Sequence, residues 1–175
     1  MSHTTPQAFG ALALAVTDRM RASVEGAAGH GASGPAALVA LDGLAAGGSI
    51  DSLRRLLGIT HSGAVRLVDR LVAARLVERR IGADARAVSI HLTPEGRRAA
   101  RRVMTAREAA LEQVLAVLEP AERAQLDSLL PTLLGGLAAA PDEALRICRL
   151  CDMRACGHGT DRCPLTRSQS VQASA

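Results

Sequence analysis

The sequence has no Lys, no Trp and no Tyr, and Phe9 is its one Phe. Without aromatic platforms, stacking of single-stranded bases is excluded as a binding mode. All 21 basic residues are Arg. A core without aromatics must be built of Leu, Ala and Val, which suits packed helices. Cys does not occur before position 148. Long apolar runs are missing too: none approaches the roughly 20 residues of a membrane span. The apolar stretch 8–16 is short and is followed at once by Asp18 and Arg19, so neither a leader nor a span is expected, and the expected compartment is the cytoplasm. There is no Gly-rich phosphate loop, no nucleophile elbow and no His–carboxylate pair at fixed helical spacing. The chain is not expected to be an enzyme.

What is there is a chain of 175 residues, 48% hydrophobic, long enough for one domain with an appendage. Its net charge of +4 is unevenly spread. Residues 51–107 hold 13 Arg against 5 acids, a net of +8, whereas the remainder carries 8 Arg against 12 acids. A block of one sign on one stretch is the footprint of phosphate neutralisation.

That block coincides with residues 49–96, SIDSLRRLLGITHSGAVRLVDRLVAARLVERRIGADARAVSIHLTPEG. Ile50, Leu53, Leu56 and Leu57 follow helical spacing and Gly58 supplies a break. Thr60 can cap a second helix, with Val65, Val68, Leu71 and Val72 as its inner stripe. Ser62, Arg66, Asp69 and Arg70 fall on another face. Two helices around a short Gly-containing turn, the second with a basic face, make a helix-turn-helix. The β-branched runs 76–81 and 87–92 flank the turn residues 82–86 and predict a hairpin. Thr93-Pro94-Glu95 then predicts a helix start: capping hydroxyl, Pro at the first position, acid in the first turn. Helix, turn, helix, hairpin, helix is a winged helix.

Asp84-x-Arg86 followed by Val88-x-Ile90-x-Leu92-Thr93-Pro94-Glu95-Gly96 resembles the wing signature of MarR-type transcriptional regulators. Leu57-Gly58-Ile59 and the segment 65–71 resemble that family's recognition helix and its approach. The resemblance spans roughly residues 35 to 140. It implies an obligate dimer whose recognition helices enter major grooves of a near-palindromic operator in double-stranded DNA while a wing Arg reaches a minor groove. Arg86 is the candidate for that Arg, with Asp84 orienting it or closing the turn. His61 and Ser62 sit at the end of the second helix nearest the base edges; Arg66 is placed to pair with a guanine and Arg70 to meet phosphate. The competing role for Arg70 is an ion pair near Asp69 or with Asp51.

Outside this region, Phe9, Leu12, Val16, Met20 and Val24 mark one face of a first helix, over about residues 4–26. Pro35 opens a second, with Leu38, Leu41 and Leu44 inward, ended by Gly47-Gly48. From Thr93 a long helix is predicted to about Leu118, basic at Arg97, Arg98, Arg101 and Arg102, then apolar at Ala110, Val114, Val117 and Leu118. Leu126, Leu129, Leu130, Leu133, Leu134 and Leu137 give the last helix a broad stripe, with Pro131 inside it and a kink expected there. Such a stripe is expected to meet a second subunit; the alternative is that it is intramolecular core.

All four Cys lie in Cys148-Arg-Leu-Cys151-Asp-Met-Arg-Ala-Cys156-Gly-His-Gly-Thr-Asp-Arg-Cys163-Pro164. In a reducing compartment, clustered thiolates suggest a metal site rather than disulfides. Zinc would clip the tail to the dimerisation helices, whereas an iron–sulfur cluster would make it a redox sensor. The segment is similar to the cluster loop of SoxR-type regulators, which opens with C-x2-C and ends in Cys-Pro-Leu, here Cys163-Pro164-Leu165, though the middle spacings differ. It also resembles retroviral zinc knuckles in its first segment, with Cys156 where those have His. A 2Fe–2S cluster is preferred over zinc, and His158 is a fallback ligand. Free, redox-reactive thiols are the plain alternative.

The expected architecture is mainly α (α+β): a winged helix-turn-helix with a helical dimerisation region. Its parts are an N-terminal dimerisation helix and loop (1–34), the DNA-binding region (35–96), C-terminal dimerisation helices (97–140), a metal-binding tail (141–167) and a disordered end (168–175). The expected function is a dimeric regulator of transcription, a repressor, whose DNA affinity responds to the tail. A regulator answering to a small molecule, with a purely structural zinc, is the alternative. A thiol–disulfide oxidoreductase using Cys148 and Cys151 is a third reading, but no βαβ pattern supports it.

Overall fold

A computed structural model describes residues 4–43, 47–81, 88–138, 141–152, 156–157, 160, 163 and 165. Among the described residues, seven named helices and one hairpin follow each other: α1 Thr4–Ala28, α2 Gly34–Gly43, α3 Ile50–Leu57, α4 His61–Ala73, β1 Val77–Ile81, β2 Val88–Leu92, α5 Pro94–Leu115, α6 Pro120–Leu137 and α7 Pro141–Ile147, before a 3₁₀ turn at Cys148–Leu150. This is the mainly helical winged helix-turn-helix expected from the sequence.

The local causes are those of capping and handed turns. Ser49 starts α3 through a reciprocal box with Ser52, each side chain bonding the other's backbone N–H. Gly58 ends α3 at φ +65°, a left-handed conformation that glycine takes without a Cβ penalty. Thr60 caps α4 by accepting from Gly63 N at 3.1 Å. Thr93 caps α5 by accepting from Gly96 N at 3.0 Å, and its hydroxyl donates back to Arg75 O at 2.7 Å. One Thr thus fixes both the start of α5 and the end of the loop leading into β1. Gly96 is required there by contact: a Cβ at this position would stand 1.9 Å from the Leu76 carbonyl oxygen.

The hairpin is antiparallel, with Val77 opposite Leu92 and Ile81 opposite Val88. Gly48 adds one bridge, accepting from Ile90 N at 2.8 Å. The main core gathers Leu38, Leu41, Leu53, Leu56, Leu67, Leu71, Ile90, Leu92, Ala99 and Ala100 among others, so the hairpin and helices α2 to α5 share one interior. The inner stripe of α4 is Ala64, Leu67, Val68 and Leu71, with Val65 and Val72 half-buried at its edge. The sequence reading placed Val65 and Val72 inside; the helix is turned so that Ala64 and Leu67 face the core, where the small Ala64 allows close approach.

Two expected boundaries shift. The first helix continues to Ala28 and the long helix ends at Leu115, while the expected end of the second helix and Leu44 fall at residues 44–46, outside the described residues. Pro131 lies within α6, and the helix runs through it to Leu137. No residue of α6 is buried within the chain, so its leucine stripe is not intramolecular core. Leu129, Leu130, Leu133 and Leu137 stay exposed on α6, as do Phe9, Leu12 and Leu14 on α1.

The tail does not hang only from the terminal helices, as the zinc-clip reading supposed. The helix α7 packs against α3 and the 3₁₀ turn against α2. Both partners belong to the winged-helix body. No helix among the described residues is long and apolar enough to cross a membrane.

Candidate nucleic-acid interface and cysteine cluster

The helix α4 presents a continuous exposed face made by Ser62, Arg66, Asp69, Arg70 and Ala73, with His61 exposed at its first turn. Positions 62, 66, 69, 70 and 73 recur at helical spacing, so they look in one direction. Ser62 Oγ lies 3.3 Å from the Thr60 hydroxyl, within the cap. Asp69 accepts from Arg79 Nη2 of β1 at 2.6 Å. Asp51 is taken by Arg54 at 2.9 Å and Arg55 at 3.2 Å, and the hydrogen bond from Arg54 holds its carboxyl below the ordinary range. The acids proposed as partners of Arg70 are therefore both engaged elsewhere. Among the described residues, Arg66 and Arg70 make no ion pair.

The basic block is less free elsewhere. Arg98 and Arg102 both reach Glu95, at 2.7 and 3.4 Å, and the bond from Arg98 leads in pulling that carboxyl down. Arg80 pairs with Glu78 at 2.6 Å, and Arg97 donates to Leu92 O at 3.0 Å. The cations left facing solvent on the helix-turn-helix are those of α4. Asp84 and Arg86 lie outside the described residues, as does His158.

Residues 34–87 match the sequence profile of the MarR family. The match covers less than half of the chain, and over it the chain is similar to MarR-type winged helix-turn-helix proteins. No curated protein matches the chain. Among solved structures, the chain is similar to the YusO protein of Bacillus subtilis, at 22% identity and TM-score 0.64, covering 74% of this chain and 91% of that one. It is similar to RV1404 of Mycobacterium tuberculosis at 25% identity and TM-score 0.63, covering 80% and 97%. A MepR mutant of S. aureus bound to an oligodeoxyribonucleotide is similar at 17% identity and TM-score 0.55, covering 78% and 99%. The profile match stops within the hairpin, and the cysteine tail lies outside it.

In the tail, Ala138, Ala144, Cys148, Cys163 and Leu165 form a small buried cluster, with Leu134, Ile147 and Cys151 packed on it. None of the four Cys is in a disulfide. The Cys148 thiol donates to Cys151; this bond, with burial, pushes Cys148 up. The same bond brings Cys151 down to about 6, against burial and with help from the Arg107 and Arg149 charges. Cys156 and Cys163 are near enough to Cys148 to act on it electrostatically. Among the described residues no group of three or more His, Cys, Asp or Glu is arranged to hold a metal ion. The structure thus draws Cys148, Cys151 and Cys163 into one cluster without closing them on one point.

Sequence reasoning missed two features. The Asp69–Arg79 pair joins a helix to a strand ten residues on, and helical periodicity carries no trace of it. Arg146 of α7 lies over the helix-turn-helix glycine, its Nε 3.5 Å from where a Cβ of residue 58 would stand.

Proposed function

We propose that this MarR-type transcriptional regulator is a homodimer that binds double-stranded DNA and whose affinity is set by a metal centre on Cys148, Cys151, Cys156 and Cys163. The observation that carries the DNA part is the α4 face, where Arg66 and Arg70 are exposed and unpaired beside His61 and Ser62. Arg66 reads a guanine edge, Arg70 meets a phosphate, and Arg86 of the hairpin enters the neighbouring minor groove with Asp84 supporting it. The oligodeoxyribonucleotide held by the similar MepR mutant supports this reading. The exposed leucines of α6 and α1 support the dimer, because an apolar stripe buried in neither core nor partner would face water.

The donor set supports the metal centre. Four thiols within sixteen residues, three of them in one apolar cluster, are soft ligands of the kind that hold zinc or iron–sulfur clusters. A buried Arg107 Nε without a partner stands on the neighbouring helix. A metal there would supply a cross-link, and a 2Fe–2S cluster would add one-electron redox chemistry. The chain's own residues then pass the state of the tail to the DNA face. Cys148 is continuous with α7, α7 packs on α3, and Arg146 lies over the turn that sets α4 against α3. A tail that loosens releases that turn.

A second reading has its own observation. A cleft of about 490 Å³ opens between α2, α5 and the tail, with Asp42, Arg97, Arg101 and Cys151 in its lining. A small charged effector fits this setting, leaving the tail structural. Selection of duplexes from a random pool, followed by titration of the selected DNA with metal-loaded and metal-stripped protein, separates the readings. A metal-dependent affinity supports the first, and an affinity blind to metal overturns it.

A further inference from the structure

We propose that Arg75, the residue that turns the chain out of α4, contacts a backbone phosphate of the bound duplex. The inference rests on the DNA reading above and adds a residue that lies on neither the outer face of α4 nor the hairpin.

Arg75 has φ +57°. It closes α4 as a glycine usually does: its N–H donates to Val72 O at 2.8 Å, and the N–H of Leu76 to Leu71 O at 2.9 Å. A side chain disfavours this left-handed conformation, and glycine takes it freely. Among the described residues, the other non-glycine at positive φ is His30, in a loop between Gly29 and Gly31. Arg75 stands instead at a packed corner, its carbonyl accepting from the Thr93 hydroxyl at 2.7 Å. The residue itself is exposed, and among the described residues its guanidinium has no hydrogen-bond or ion-pair partner. An unpaired cation kept at a strained position points to a ligand for that cation.

The surroundings name the ligand. Arg66 and Arg70 face outward from α4, and Arg79 of β1 reaches Asp69 on the same face. The chain passes from one to the other through Arg75, so this corner borders the face proposed to meet DNA. The C-terminal end of a helix carries partial negative charge and repels phosphate. A backbone phosphate that comes to this end of α4 therefore needs a cation there, and Arg75 supplies it. Such a contact fixes position and carries no base information.

Arg75→Gly is a change that the backbone favours, so folding and binding are expected to part company. In the full chain its thermal midpoint is expected at or above that of the parent. Its affinity is expected to fall about 5–10-fold at roughly 0.1 M salt, on selected and scrambled duplexes alike. The slope of log K against log salt is expected to drop by about 1. Arg75→Lys keeps the charge and is expected to keep the parent's slope. An Arg75→Gly variant with the parent's affinity and slope overturns the contact, as does an Arg75→Lys slope as low as that of Arg75→Gly. Lost affinity together with a lowered midpoint overturns it too, because the residue would then act through the fold. A parent that binds no duplex overturns the DNA reading and this inference together.

Discussion

Arg79 of β1 donates to Asp69 of α4 at 2.6 Å, clamping the hairpin onto the helix proposed to face DNA. The pair does two things at once. It fixes the direction in which the hairpin leaves the body, and it neutralises the one acid on the exposed face of α4. Both side chains are about half exposed, at 40% and 53%, so solvent screens the attraction. Single replacements by Ala are expected to be non-additive, with a coupling of about 0.2–1 kcal/mol in a double-mutant cycle of urea unfolding. Full additivity would remove the clamp.

Arg66 and Arg70 share a face but are expected to fail differently. Arg66→Ala should relax preference at one base pair, costing about 1–3 kcal/mol on the selected duplex and much less on unrelated DNA. Arg70→Ala should weaken all duplexes alike and lower the slope of log K against log salt by about 1. Anisotropy titrations on selected and scrambled duplexes at several salt concentrations distinguish the two. The same profile for both variants would contradict the division of roles.

Gly96→Ala sets a methyl 1.9 Å from the Leu76 carbonyl oxygen. Backbone cannot yield as a flexible side chain can. Destabilisation of about 1–3 kcal/mol or more is expected, read as a fall in thermal midpoint. An unchanged midpoint would mean that α5 can retreat from the hairpin without cost.

Leu133 lies on the exposed apolar stripe of α6. Burying a leucine at an interface is worth about 1.5–3 kcal/mol, and a two-fold interface counts each substitution twice. Leu133→Glu is expected to convert a dimer to monomer in light scattering and to abolish binding to a two-half-site duplex. A dimer of unchanged strength would show that this stripe is not the interface.

Glu112 of α5 is bonded by Arg123 of α6, and that bond holds its carboxyl below the ordinary value of 4.5. With the folded value depressed, the stability from this group is present above pH 4.5 and is lost as pH falls through the lower folded value. Glu112→Gln should flatten that acid limb of the stability profile. An acid limb identical in parent and variant would show that the pair makes no contribution there.

Much of the fold was legible because its causes are local. Thr60, Thr93 and Pro94 announce helix starts in their own chemistry, and the alternation around residues 82–87 announces a hairpin. The face of α4 was legible too, since 62, 66, 69 and 70 follow from helical period alone. What escaped was long-range. Nothing in the order of residues says that Arg79 lies beside Asp69, or that α7 packs against α3 as well as on the end of α6. Pro131 lies inside α6 as its position in the leucine pattern indicated, and its missing N–H leaves the Asp127 carbonyl without its helical partner. The four cysteines were found by spacing, while the gathering of Cys148, Cys151 and Cys163 with Ala138, Ala144 and Leu165 needed the return of the chain from α6.

The most direct test of the account is the affinity of the full chain for a selected duplex, measured without oxygen before and after chelation of metal. Coupling between a tail centre and the DNA face is expected to change that affinity by roughly 5–150-fold, and Cys151→Ser should lock the protein at the metal-free value. Equal affinities in the two states, with Cys151→Ser indistinguishable from the parent, would contradict it.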